Sequence, residues 1–440
     1  MSRRPALRAP RGPWSPGISL AIAALSLGAA CRSSGHTARL DGRARLIIEP
    51  LASPAGAGSS CPRLSPGSEL ILSWVEESGD EARLLASRFE GSDWIPGFEL
   101  GRGADWFVNW ADTPGAVAGE GSLFVHRLVE IPAEHLAYGI HGSSVALDAP
   151  ATSSDLGSLH TDLTPTEHGF VSAVWSADAD FFSVWLDGRA TGEGGAMKLM
   201  GRSLNAGGFG PEIELDPRVC SCCPTSAVRL ADGSVLAAYR GRDEREVRDI
   251  QLVRGFPNDP SSWSAPETVH RDGWVVLGCP VNGPALAAGA SSVALAWYTE
   301  AVESSAGARR EPRVRFALDS GGDGRRFAWP LKVDDGAPLG RAAISVVPGT
   351  DAYLVAWLER SGAGAEWRVR LVQEGLVSDS RVLARVPATR ASGFLALSAA
   401  GHRARDGVFA AWTDPSSNRV RVARIRIEAG LEPASLPVPE

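Results

Sequence analysis

Short apolar runs recur along the chain, each about the length of one strand and each closing on an aromatic or histidine followed by polar residues. They are SELILSWVEE around Trp74, SLFVHRLVE around His126, DFFSVWLDGR around Trp185 and GSVLAAYRGR around Tyr239. SSVALAWYTE around Trp297, DAYLVAWLER around Trp357 and GVFAAWTDP around Trp412 complete the set. Successive anchors stand 52, 59, 54, 58, 60 and 55 residues apart. No heptad or long amphipathic helical pattern separates them, so the fold class is all-β. In the clearest unit, TSAVRLADG turns at Asp232-Gly233 into SVLAAYRG, then come RDIQLVRGF and, past a further turn, WSAPETVH. Four strands repeated at a fixed period around an axis make a β-propeller blade. The anchors predict six or seven four-stranded blades. Seven is slightly favoured, with a pair of β-sandwiches as the less regular alternative.

The amino terminus breaks this rhythm. Arg3, Arg4, Arg8 and Arg11 precede an uncharged apolar run over residues 18–30. At about 13 residues the run falls short of the ~20 that a membrane-spanning helix needs, so it reads as a secretory signal. It ends in Leu27-Gly28-Ala29-Ala30-Cys31, which resembles a bacterial lipoprotein cleavage box. The resemblance implies lipidation of Cys31 and an exported protein, held in the periplasm or on the outer surface of a bacterial cell. Residues 1–30 are thus expected as a signal peptide. Residues 31–67, rich in Ser, Gly, Ala and Pro, are expected as a flexible tether leading into a propeller over 68–440.

Composition adds an exclusion. The 44 Lys+Arg against 51 Asp+Glu give a net charge of −7 over 440 residues, with no long basic run. That balance argues against nucleic acid as a partner. It leaves oligomeric state undetermined.

Two turns between the third and fourth strands carry a resemblance. Ser320-Gly321-Gly322-Asp323-Gly324-Arg325-Arg326-Phe327 and the shorter Ser203-Leu204-Asn205-Ala206-Gly207-Gly208-Phe209 resemble the Asp-box (BNR repeat) of sialidase-like propellers. The strings TEHGFVSAVW, WLDGR, VCSCCPT and GCPVNGPA look like those of exported, uncharacterised bacterial proteins of that group. The resemblance implies a sialidase-like propeller that takes a glycan or other anionic ligand. It leaves hydrolysis open, because the arginine triad and the Tyr/Glu pair of a true sialidase cannot be assigned. Glu130-Ile131-Pro132 lacks the expected arginine, and Tyr298 near Glu300 is the sole tyrosine suited to the pair.

Propeller geometry predicts which residues share one mouth. Loops joining one blade to the next and the ends of second strands lie on the same face. They carry His160, Glu167, His168, His270 and Asp272, and Asp187, Arg189, Arg240, Asp243 and Glu300, followed by Arg248 and Asp249. Glu167, Asp187 and Asp243 are the candidate acid/base groups. Arg189, Arg240 and Arg248 are candidates to grip an anion, with Asp249, His270, Asp272 and Glu300 around them. The competing expectation is that these charges merely lace neighbouring blades.

Cys220, Cys222, Cys223 and Cys279 belong to the same mouth, since 279 − 223 = 56 is one blade period and both of the latter precede proline. In an exported protein the expected fate of clustered cysteines is disulfide formation. The alternative is a soft-metal site for copper or zinc, or a redox site, using these cysteines with His160 and His168. No cofactor is certain on these grounds. A further alternative is a non-catalytic module that presents a protein-binding face.

Overall fold

The computed structural model describes residues 44–65, 69–176, 180–302, 310–399 and 407–429. The expected signal peptide, the lipidation site Cys31 and the first part of the tether lie outside them. Each of the seven anchors falls in the second strand of its own sheet and is buried. Among the described residues there are seven antiparallel sheets, five of four strands and two with a short fifth strand. The innermost strands are Ser59–Ser65, Gly115–Ala118, His168–Ser176, Ser226–Arg229, Ala285–Ala288, Pro338–Val346 and Ala396–Ala399. Each touches the next, and the last touches the first. The protein is a seven-bladed β-propeller.

The ring is locked by strand exchange between the two ends of the domain. Ala44–Leu51 pairs along its length with Arg419–Ala429 and supplies the outermost strand of the seventh blade. The boundary expected at residue 68 is therefore corrected: the propeller includes 44–65. Its sequence conceals this because Ser59–Ser65 reads SSCPRLS, with a register shift between Ser60 and Arg63 and no apolar alternation.

The sheets bury both faces, so the second strands read as continuous apolar runs rather than alternating ones. Each pair of neighbouring blades encloses its own apolar cluster. Examples are Ile71, Leu84, Leu123 and Val145 between blades 1 and 2, and Leu354, Trp367, Val408 and Ile425 between blades 6 and 7. The anchors also carry a polar device. Residues i and i+2 of a strand share a face, and the indole N–H groups of Trp74, Trp185 and Trp357 donate to Glu76, Asp187 and Glu359 two positions on, at 3.0, 2.9 and 2.5 Å. The segments 203–209 and 320–327 join third to fourth strands, as expected. Among the described residues no helix is long and apolar enough to cross a membrane.

Candidate functional site

The mouth is assembled where first strands begin and second strands end. Three first strands carry a bulge there with a residue in the left-handed region: Cys61 at φ 54°, Phe170 at φ 54° and Arg341 at φ 53°. Each of these turned amides donates to a side chain of the preceding blade or of the loop that leads into that blade. Cys61 N reaches Thr413 Oγ1 at 3.2 Å, Phe170 N reaches Asp112 Oδ1 at 2.8 Å, and Arg341 N reaches Asn282 Oδ1 at 2.7 Å. The inner wall is thus tied blade to blade by backbone-to-side-chain bonds.

Loops and second-strand ends are bonded to one another locally. Gly188 N donates to Glu167 O at 2.9 Å, Cys220 N donates to Arg240 O at 2.9 Å, and Arg240 Nε donates to Asn282 O at 2.9 Å. Burial and the neighbouring charge of Asp112 push the Tyr138 phenol well above its ordinary value.

Most of the expected ligand-gripping charges are spent on the fold. Arg240 is 1% exposed, stacks on Trp274 and donates to the carbonyls of Asn282, Arg248 and Tyr298. Arg248 is also buried and donates to Glu246 and to Cys220 Sγ. Arg189 is held by Asp187 and Glu212. Asp249 accepts from the amides of Gly273 and Trp274, Asp272 accepts from Trp297 Nε1 at 2.7 Å, and Glu300 accepts from Tyr298 Oη at 2.5 Å. His270 stands edge-on to the exposed Trp329. Arg240 and Asp272 lace neighbouring blades, whereas the contacts of Arg189, Arg248, Asp249 and Glu300 stay within one blade or its adjoining loops.

The three acid/base candidates separate cleanly. Burial opposes ionisation of Asp187, but hydrogen bonds from Arg189 and Trp185 outweigh it and hold its acidity below the ordinary carboxylate range. Asp243 caps its own turn, and the Val247 and Arg245 amides lower it likewise. Neither is suited to carry a proton at neutral pH. Glu167 differs. It is half-buried, its carboxylate makes no hydrogen bond or ion pair with a described residue, and burial raises its pKa. It lines a cavity of about 340 Å³ with His135, Leu136, Thr166, Thr191 and Gly192.

Behind Glu167 lies a carboxyl absent from the expected set. Asp112 is buried, accepts from Tyr138 Oη at 3.1 Å as well as from Phe170 N, and is pushed up to about 7 by burial. Beside it on the same loop, the Trp110 ring stacks 5.9 Å from Phe394, with Arg341 over its face at 4.7 Å. Asp112 stands 126 − 112 = 14 residues before its anchor, close to the 17 that separate His168 from Trp185. Aligning the irregular second unit on its neighbours would have found it.

The histidines form a closed arrangement. The rings of His160 and His168 stack 4.0 Å apart. His160 Nε2 accepts from Ile140 N at 3.1 Å while Nδ1 faces Asp162 O at 2.8 Å, and burial lowers its pKa to about 4. Both nitrogens of His168 face acceptors: Thr166 O on one side, Asp162 and Asp187 on the other. The expectation that these rings join the cysteines as ligands is corrected, since their nitrogens are already committed.

Three of the cysteines, Cys220, Cys222 and Cys223, lie together, and all four are free thiols. Cys220 Sγ lies 2.8 Å from Cys223 Sγ and 3.9 Å from Cys222 Sγ. Hydrogen bonds from Cys222 and Cys223 lower the Cys220 pKa well below the usual thiol value. Cys279 bonds to Cys222 and is lowered to about 7. The fifth thiol, Cys61, is raised to about 11 by burial.

No family model and no curated protein sequence matches the chain. Solved structures are similar in fold. The Penicillium chrysogenum α-L-arabinanase complexed with arabinobiose has a TM-score of 0.44 at 12% identity, covering 87% of this chain and 97% of its own. The GH93 α-L-arabinofuranosidase of Fusarium graminearum with arabinobiose has 0.45 at 12%, covering 85% and 98%. The NanB sialidase from Streptococcus pneumoniae has 0.38 at 9%, covering 89% and 71%. At this distance the similarity concerns the arrangement of blades alone, and the site has to be argued from its own residues.

Proposed function

We propose that the protein binds a polyhydroxylated ligand, a glycan, at the axial mouth, with Glu167 as the acceptor of its hydroxyl groups. The observation that supports this reading is the state of Glu167: a half-buried carboxylate, unpartnered among the described residues, facing a cavity of about 340 Å³. An ionised carboxylate offers two acceptor oxygens and no donor, which suits vicinal hydroxyls. Leaving it unbonded costs desolvation energy that a ligand hydroxyl would recover.

Binding to a printed array of neutral and sialylated oligosaccharides, followed by calorimetry on the best of them, tests the reading. Glu167→Gln is expected to weaken binding at least about tenfold, or roughly 1.4 kcal/mol. Asp243→Asn, confined to its own turn, is expected to leave binding unchanged. Equal affinity of wild type and Glu167→Gln removes the proposal. Product analysis of the same oligosaccharides reports any turnover.

The reading includes export with a lipid on Cys31. Cys31→Ser is expected to abolish incorporation of labelled fatty acid and to move the protein from the membrane fraction to the soluble one. A variant that stays membrane-bound and labelled refutes the anchor.

A further inference from the structure

We propose that Cys220, Cys222, Cys223 and Cys279 form a thiolate site for a soft cation, zinc or copper(I), on the wall of the propeller mouth. The three clustered sulfurs all lie within 4.8 Å of one another. A tetrahedral cation with metal–sulfur bonds of about 2.3 Å holds its sulfurs roughly 3.8 Å apart, so small rotations of these side chains suffice. The fourth sulfur would come from Cys279, in the loop that enters the next blade and lies against the first cysteine loop. All four donors are thiols, which favours zinc or copper(I) over hard cations.

The frame that holds them is rigid. Cys220 N is fixed on Arg240 O, and the Arg240 guanidinium reaches on to Asn282 O in the loop that carries Cys279. Gly283 lies so close to Pro224 that a Cβ there would come within 1.9 Å of the proline carbonyl oxygen. The two cysteine loops are therefore packed backbone to backbone. Charge is balanced locally as well. Three or four thiolates around a mono- or divalent cation leave net negative charge, and Arg248 Nη1 already donates to Cys220 Sγ at 3.3 Å. An outer N–H donor to a ligating sulfur is the arrangement that tunes and orients such ligands. Cys220 and Cys223 are buried, whereas Cys222 is half-buried and Cys279 exposed, so the cation has an access path from solvent. Each ligating thiol gives up its proton to solvent on binding.

The test uses the full chain, reduced and freed of metal, then incubated separately with Zn²⁺ and with Cu(I) under anaerobic conditions. Elemental analysis after gel filtration is expected to give one metal per chain in at least one arm, and competition with a chromophoric chelator identifies the preferred ion. Substitution by Co²⁺ is expected to give the intense visible bands of a tetrahedral thiolate. The paired substitution Cys222→Ser and Cys279→Ser is expected to lower affinity at least 100-fold, while Cys61→Ser retains it. Because the paired variant risks misfolding, alkylation of the wild type is followed by mass spectrometry. Metal is expected to protect the four cysteines and leave Cys61 unprotected. No metal retained in either arm, equal alkylation with and without metal, or a Cys220–Cys223 disulfide that re-forms in its presence would overturn the proposal.

Discussion

A buried carboxyl reports its surroundings through its proton. Asp112 keeps its proton up to about pH 7 because burial penalises the charge more than the Phe170 amide and Arg63 favour it. In the unfolded chain the same group ionises near its ordinary value of about 3.9. Below that value both states hold the proton, and the stability it permits is fully present. As pH rises towards 7 only the unfolded state releases it, so the folded state loses ground, and the loss levels off once the folded carboxyl ionises. Asp112→Asn keeps an acceptor for Phe170 N and cannot ionise. It is expected to match the wild type near pH 4 and to exceed it at pH 8 by on the order of 4 kcal/mol. Urea unfolding of both proteins at the two pH values checks this, and a gap that does not change with pH refutes it. Arg240 shows the opposite fate of a charged side chain. Its position at the end of an apolar strand marked it for the mouth, but its donors went to three backbone carbonyls. One residue's sequence position gives the direction it faces; its partners come from two other segments.

At the scale of elements, the second strands were legible and the first strands were not. A second strand is buried on both faces, so DAYLVAWLER announces itself as an apolar run of strand length. The first strand Ser59–Ser65 carries a bulge, as do two of the other first strands, so SSCPRLS carries no periodic signal. The bulges also set the blade-to-blade ties, which depend on backbone conformation and not on residue type alone. Packing between loops can be tested with two glycines of one loop. Gly278 has open space around its missing Cβ, whereas at Gly283 a Cβ would meet the Pro224 carbonyl. Gly283→Ala is expected to cost about 1–3 kcal/mol, the range for overpacking a filled site. Gly278→Ala is expected to be near neutral. Denaturation midpoints decide between this and a loose contact, for which the two variants would behave alike.

The whole molecule depends on closure. Pairing Ala44–Leu51 with Arg419–Ala429 covers the outer edge of the latter strand and joins the first and last strands of the propeller. A chain begun at residue 52 is expected to melt lower than one begun at residue 44, by on the order of 10 °C, or to lose its single cooperative transition. Identical melting curves would mean that inter-blade packing alone holds the ring. By itself the sequence determined the strand class, the period and seven anchors, because burial of both sheet faces imposes an apolar run wherever a blade has its second strand. It also brought Glu167 and the four cysteines to one mouth, since a fixed period carries loops of equal phase to the same face. Only the tertiary structure decided which charges are spent and which remain open. Asp187 at a second-strand end and Glu167 in the loop entering the same blade read alike as acid/base candidates, yet one is filled by Arg189 and Trp185 and the other faces a cavity. That difference is set by side chains from other strands and by burial, and neither can be read from spacing along the chain.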